Sequence, residues 1–238
     1  MRALLQSEVE ENGFAICDGV LSTQEVGRLL GAIERLDDAG AVRKRGGVFA
    51  VRNLLDISEE VRELANSAVI DALVQPVLGP EFFPARGILF DKIPDANWRV
   101  PWHQDVTIAV CERVEADGFG SWSVKADVLN VQPPASVLER MISVRIHLDP
   151  CGESNGALRV IPGSHRRGRI PENEIEAIRL GGSEQICAVK AGGVLLMRPL
   201  LLHASSPSLV PDHRRVIHID FASVQLPNGM RWYSEQSL

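Results

Sequence analysis

His103 and Asp105 stand two residues apart in Val100-Pro101-Trp102-His103-Gln104-Asp105-Val106, a run that otherwise reads as strand. Side chains at i and i+2 of a strand share a face, so one imidazole nitrogen and one carboxylate oxygen can meet at a single point. These are two of the three ligands of a 2-His-1-carboxylate iron site. The third must come from far along the chain. His203 is placed to supply it, directly after the apolar run Leu200-Leu201-Leu202. An imidazole at the end of a buried strand needs a partner, because burying an unpaired polar group costs about 1–3 kcal/mol. Metal coordination would provide one.

A second chemical feature lies eleven positions beyond His203. Arg214 and Arg215 stand side by side, and a guanidinium matches a carboxylate with two parallel N–H donors. In a strand the pair points to opposite faces. Arg215 shares its face with Ile217, Ile219 and Phe221, but periodicity alone does not choose between the two.

The elements that position these groups are legible from pattern. Gly13 to Leu21 reads as a short strand closed by a turn. Ser22 with Glu25 three residues later is a capping box, and Val26, Leu29, Leu30, Ile33 and Leu36 recur at helical spacing after it. Residues 38 to 47 form a loop containing the basic run Arg43-Lys44-Arg45. Val48 to Leu55 is expected as a strand. Ser58 to Val77 is expected as a helix capped by Ser58 and ended by Gly79-Pro80. From residue 82 the texture changes to short strands separated by Gly, Pro and Asp, with a charged loop and a short helix from Glu172 to Leu180. In Met141 to Asp149, Ile142, Val144, Ile146 and Leu148 take one face while Ser143, Arg145, His147 and Asp149 take the other. Helices about 22–78 flanking a strand-rich core about 82–222 predict one mainly β domain over 1–238, a jelly roll or cupin-like barrel.

Composition narrows the partners. Hydrophobic residues are 45% and charged residues 24%, with a net charge of −6 and pI of about 5.6. That is ordinary for a globular protein and argues against nucleic acid. Cys17, Cys111, Cys151 and Cys187 lack close ligand spacing and read as reduced, independent thiols. The N-terminus turns acidic before a secretory apolar core forms, and no apolar run is long enough for a membrane span. A cytoplasmic protein acting on a small molecule is expected, with no membrane partner.

In text as well as spacing the chain resembles the phytanoyl-CoA dioxygenase family of iron(II)- and 2-oxoglutarate-dependent oxygenases. The resemblance rests on Asp18-Gly19-Val20-Leu21-Ser22, Phe90-Asp91-Lys92, Trp102-His103-Gln104-Asp105, and Asn155 through Pro162-Gly163-Ser164-His165. It continues through Leu200-Leu201-Leu202-His203-Ala204-Ser205 and Arg214-Arg215-Val216-Ile217. It implies a double-stranded β-helix, His103, Asp105 and His203 as Fe(II) ligands, and Arg214 as the clamp on the distal carboxylate of 2-oxoglutarate. It also implies O2 as co-substrate, succinate and CO2 as products, and hydroxylation of a substrate C–H bond. Related halogenating enzymes carry Ala or Gly where this chain has Asp105, so the carboxylate disfavours halogenation.

A second co-substrate anchor is expected from Arg145 and His147, if the polar face of their strand looks into the barrel, with Lys92 and Ser205 as weaker candidates. His165, in the Pro-Gly-Ser-His turn, is expected to support structure, and His213 and His218 to have no role in the site. Residues 111 to 140 read as a long polar loop serving as lid or binding loop, in which Trp122, Lys125 and Gln132 are candidate substrate contacts. Two rivals share the ligand set: a cupin-like metal barrel with chemistry independent of 2-oxoglutarate, and a non-catalytic small-molecule-binding barrel. Arg214 weighs against the first, since such chemistry has no need of a carboxylate clamp. The intact ligand set weighs against the second.

Overall fold

In the computed structural model, residues 2–38, 50–93, 97–209 and 213–237 are described; the Arg43-Lys44-Arg45 run lies outside them. The helical layer comprises α1 (Arg2–Asn12), then, after β1 (Phe14–Cys17), α2 (Thr23–Asp38). Next come β2 (Ala50–Arg52), α3 (Leu54–Ile57), α4 (Glu59–Ala65) and α5 (Ala68–Leu78). The barrel proper begins with β3 (Phe83–Asp91), β4 (Val100–His103), β5 (Ile108–Val110), β6 (Gly120–Lys125) and β7 (Val128–Gln132). After α6 (Ala135–Leu138) come β8 (Met141–His147), β9 (Leu158–Val160), α7 (Glu172–Gly181) and β10 (Gln185–Cys187). The chain closes with β11 (Val194–Met197), β12 (His203–Ser205) and β13 (Arg215–Ala222).

Two antiparallel sheets make the jelly roll, in the orders β1-β11-β8-β13-β3-β2 and β10-β9-β12-β4, and a third, β5-β7-β6, extends it. The alternation in β8 sorts its two faces as expected. Ile142, Val144 and Ile146 join Val26, Leu29 and Ile33 of α2 in the core between sheet and helices. Ser143, Arg145 and His147 therefore face between the two main sheets. In β13, Ile217, Ile219 and Phe221 join the helix-side core, which turns Val216, His218 and Asp220 inward.

The capping box forms reciprocally: Ser22 N–H donates to Glu25 Oε2 at 2.7 Å, and Glu25 N–H donates to Ser22 Oγ at 3.3 Å. Three expectations change. The helix predicted over 58–77 is broken between α4 and α5, where Asn66 Nδ2 donates to Arg62 O and the Ser67 hydroxyl to Leu64 O. Side chains that bond the preceding carbonyls compete with helix continuation. Of the strand expected over Val48–Leu55, the described part is β2, and Leu54 opens α3 after Asn53 turns left-handed (φ 61°). The segment 111–140 is not an open loop: β6 and β7 form a hairpin whose turn residues, Ala126 and Asp127, have φ of 50° and 63°. Helix α1, which the sequence reading leaves unassigned, docks through Leu5 and Val9. No helix among the described residues is long and apolar enough to cross a membrane.

Candidate metal centre

His103 closes β4, and Asp105 lies just beyond it, so the pair is not carried by one continuous strand as its spacing suggests. The turn is pinned instead. Asp105 N–H donates to Pro199 O at 2.9 Å, and Gln104 Nε2 donates to the carbonyls of Leu200 and Gly168. Across the sheet, β12 pairs with β4 so that His203 stands opposite His103. The two rings approach to 4.2 Å between centroids. The Nε2 atoms of His103 and His203 each lie 3.7 Å from an Asp105 oxygen, and the three residues' ligand atoms all fall within 4.8 Å of one another.

The tautomers follow from the outer contacts. Nδ1 of His103 lies 2.8 Å from Pro101 O, and Nδ1 of His203 lies 2.9 Å from Leu201 O. A carbonyl only accepts, so each Nδ1 carries the proton and each Nε2 presents a lone pair to the common point. Burial, partly opposed by Asp105, pushes the His203 imidazole down to about 4 and keeps it neutral. Two imidazole Nε2 atoms and one carboxylate turned to one point fit a divalent ion.

A cavity opens from these residues, walled by Phe90, Trp98, Arg145, Ser205, Arg214 and His218 among others. Arg214 is buried and Arg215 is not in the wall, since Arg215 turns to the opposite side and pairs with Asp149 at 2.8 Å. One Nη of Arg214 donates to Gly156 O, and its backbone N–H donates to Asp91 Oδ1 at 3.1 Å. Gly156 sits at φ +64°, and a Cβ there would come within 2.6 Å of Ser206 O and 3.4 Å of Lys92 Nζ. Only glycine fits that corner.

The expected polar face of β8 does look inward. Arg145 reaches the cavity, with Nη1 2.9 Å from His218 Nδ1 and its guanidinium over the Phe90 ring. Burial, then Arg214, lowers it to about 10. Lys92 is buried behind Ser205, donating to its hydroxyl at 3.1 Å and to Ser206 O at 2.6 Å; burial, then Arg214, takes it down to about 7. Nε of Arg145 and Nε of Arg214 are buried without a partner among the described residues. His147 does not line the cavity. Its ring is buried behind Arg145 with both nitrogens unpartnered, and burial, then Arg145, holds it down to about 3. His165 supports structure as expected, with Nε2 3.2 Å from Glu10 O, and His213 lies outside, on Asp91.

Several members of the site escape the sequence reading. His218, expected to be idle, forms the wall and joins a buried chain: its Nε2 lies 2.7 Å from Asp220 Oδ1, which also accepts from Ser143 at 2.6 Å. Asp220 Oδ2 accepts from Nε and Nη2 of Arg86, which lines the same cavity. The available signal is parity, since 214, 216, 218 and 220 fall on one face of a strand. Trp98 has no such signal. Of the candidate substrate contacts, Trp122 packs beneath Arg113 and Gln132 accepts from Arg169. Neither reaches the metal cavity, and Lys125 opens onto a neighbouring one. The four cysteines are free.

A sequence model of the phytanoyl-CoA dioxygenase (PhyH) family matches residues 9–216. An ectoine dioxygenase of Nocardia farcinica (strain IFM 10152) is 24% identical over 250 aligned positions, covering 92% of this chain and 77% of the relative. AviO1 from Streptomyces viridochromogenes Tue57 has the same fold, with a TM-score of 0.69, 25% identity, and coverage of 95% of this chain and 97% of its own. EctD from S. alaskensis, solved with 2-oxoglutarate and 5-hydroxyectoine, gives a TM-score of 0.72 at 21% identity over 93% of this chain and 76% of its own. The fold is the double-stranded β-helix shared with these structures.

Proposed function

The chain belongs to the phytanoyl-CoA dioxygenase family and is an oxidoreductase of the iron(II)- and 2-oxoglutarate-dependent dioxygenase class, and from that premise we propose that it hydroxylates a small organic metabolite. One observation carries the assignment of residues. Three ligand atoms within 4.8 Å face a cavity whose wall holds two buried guanidinium groups with unpartnered N–H donors. His103, Asp105 and His203 would hold Fe(II), and Arg214 with Ser205 would hold the distal carboxylate of 2-oxoglutarate, with the Lys92 charge behind Ser205. Iron held there would supply activation of O2, one oxygen atom going to the substrate and the other into succinate as 2-oxoglutarate loses CO2.

The protein's part is orientation and exclusion of water. Arg214 is fixed by Asp91 at its backbone and Gly156 at its side chain, so its fork is set before a carboxylate arrives. Arg145 is held through His218 and adds a second positive charge to the same wall. Phe90 and Trp98 supply the apolar sides.

Melting the protein with Mn(II), with 2-oxoglutarate, and with both tests the reading. Both together should raise Tm by more than the sum of each alone, because the co-substrate needs metal and arginine at once. Indifference to 2-oxoglutarate in the presence of metal, together with no succinate release on any metabolite screened with Fe(II) and ascorbate, would sink it.

Lys92 adds a pH dependence. Its ammonium form favours the carboxylate, and that form is lost as pH rises through about 7. The KM for 2-oxoglutarate should therefore climb above pH 7, by at most about tenfold per pH unit. In Lys92→Met the KM should be higher and flat across pH 6–9. Steady-state succinate release measures both.

A further inference from the structure

A second, smaller cavity meets the metal cavity at Arg86 and Ile88, which line both. Its remaining polar wall holds Arg52, Lys125 and Asn53. We propose that Arg52, Lys125 and the free edge of Arg86 form an oxyanion subsite, so that the substrate of the proposed oxygenase carries a carboxylate or phosphate lodged here while its body lies at the metal.

The charges in this cavity are not balanced from within. Among the described residues no hydrogen bond or ion pair engages the Arg52 guanidinium. Lys125 Nζ has one weak contact, Thr107 Oγ1 at 3.4 Å. Arg86 uses Nε and Nη2 on Asp220, leaving Nη1 without a hydrogen bond among the described residues. Asp56 also lines the cavity, but its carboxylate accepts from the Tyr233 hydroxyl. Arg52 is exposed and Lys125 half-buried; partial desolvation, then the neighbouring cations, lowers both, whereas Asp105 acts the other way on Lys125. The last influence places Lys125 within electrostatic reach of the metal ligands. The three cations Arg52, Lys125 and Arg86 outnumber the two carboxylates beside them, Asp56 and Asp220, and an anionic guest relieves that excess.

The backbone is bent to make this arrangement. Lys125 sits immediately before a two-residue hairpin turn in which Ala126 and Asp127 are both left-handed, a geometry that favours Asn-Gly. Asn53, itself left-handed at φ 61° and next to Arg52, donates its side-chain amide to Ala126 O at 3.3 Å. Asn53 thus lines the cavity beside Arg52, and the left-handed Ala126-Asp127 turn it bonds connects two further lining residues, Lys125 and Val128. Gly87, between the two shared wall residues, makes room for it: a Cβ there would come within 2.8 Å of Leu55 in α3. Such strain persists where the surroundings over-determine it, which is most often at binding sites.

The test titrates inorganic phosphate and, separately, acetate into protein loaded with Mn(II) and saturating 2-oxoglutarate, followed by calorimetry. Saturable binding is expected, with a dissociation constant on the order of 1 mM for the better anion. Arg52→Gln and Lys125→Gln should each weaken it about tenfold, while Arg28→Gln, a distant exposed change, should not. Tightest binding of phosphate points to phosphorylated substrates and of acetate to carboxylates. Binding that ignores both variants, or is absent for both anions although Mn(II) and 2-oxoglutarate stabilise the protein, overturns the subsite. If phosphate follows Arg52 and Lys125 while 2-oxoglutarate adds nothing to the Mn(II) protein, the subsite stands and the oxygenase reading falls.

Discussion

Asp220→Ala should cost about 3–5 kcal/mol of stability, the range for removing one partner from a buried ionic network. Asp220 is 3% exposed, and its two oxygens accept from Arg86, Ser143 and His218. Without it the half-buried Arg86 guanidinium loses its paired carboxylate and Ser143 loses its acceptor. At roughly 2–4 °C per kcal/mol for a chain of this length, Tm should fall on the order of 10 °C. Burial alone would raise this carboxyl, but His218, Arg86 and the Ser143 hydroxyl more than reverse it and hold it below the ordinary carboxylate range. A depressed carboxyl contributes stability that is whole above the unfolded value, near 4, and drains away as pH falls below it. The gap between wild type and Asp220→Ala in urea titrations should therefore hold from about pH 5 upward and narrow in acid. An unchanged denaturation midpoint at pH 7 would show that the network is not supporting the fold.

His203→Ala should do the reverse, removing function and leaving the fold. The imidazole is buried, but its one hydrogen bond among the described residues is Nδ1 to Leu201 O, and its Nε2 faces the ligand point. Loss of a metal ligand forfeits several kcal/mol of stabilisation in the reaction, so succinate release should drop on the order of 10³-fold or more. The metal-free protein should melt within a few degrees of wild type, while the Tm rise with Mn(II) and 2-oxoglutarate disappears. A variant that keeps this rise and its turnover would remove His203 from the site.

How far the residues announce this structure depends on how local each signal is. The capping box at Ser22 is legible in four residues, because both of its hydrogen bonds close within them. The two faces of β8 are legible because strict alternation admits one register. His103 and Asp105 meet as their spacing suggests, yet by a pinned turn, since the bonds of Asp105 and Gln104 come from residues about 64 to 96 positions away. The β6–β7 hairpin is hidden because Ala126-Asp127 carries no glycine to mark a left-handed pair. His218 and Asp220 are different: they share the strand face of Arg214, and parity alone marks them for the interior. Arg86 and Trp98 come to the cavity through packing that no short stretch of sequence encodes.

The two carbonyl-bound Nδ1 atoms bear on which ion the protein takes up. With both imidazoles held through Nδ1 and their Nε2 atoms aimed at one point, the site asks little rearrangement of an arriving metal, and it offers two nitrogens and one oxygen to all comers. Such a donor set holds copper, nickel and zinc more tightly than iron(II), following the ordinary order of divalent affinities. Iron occupancy is then governed by supply: the cell must keep the stronger competitors scarce. Protein prepared without added iron will carry whatever divalent ion was most available, and stripping and reloading is the step that decides its measured activity.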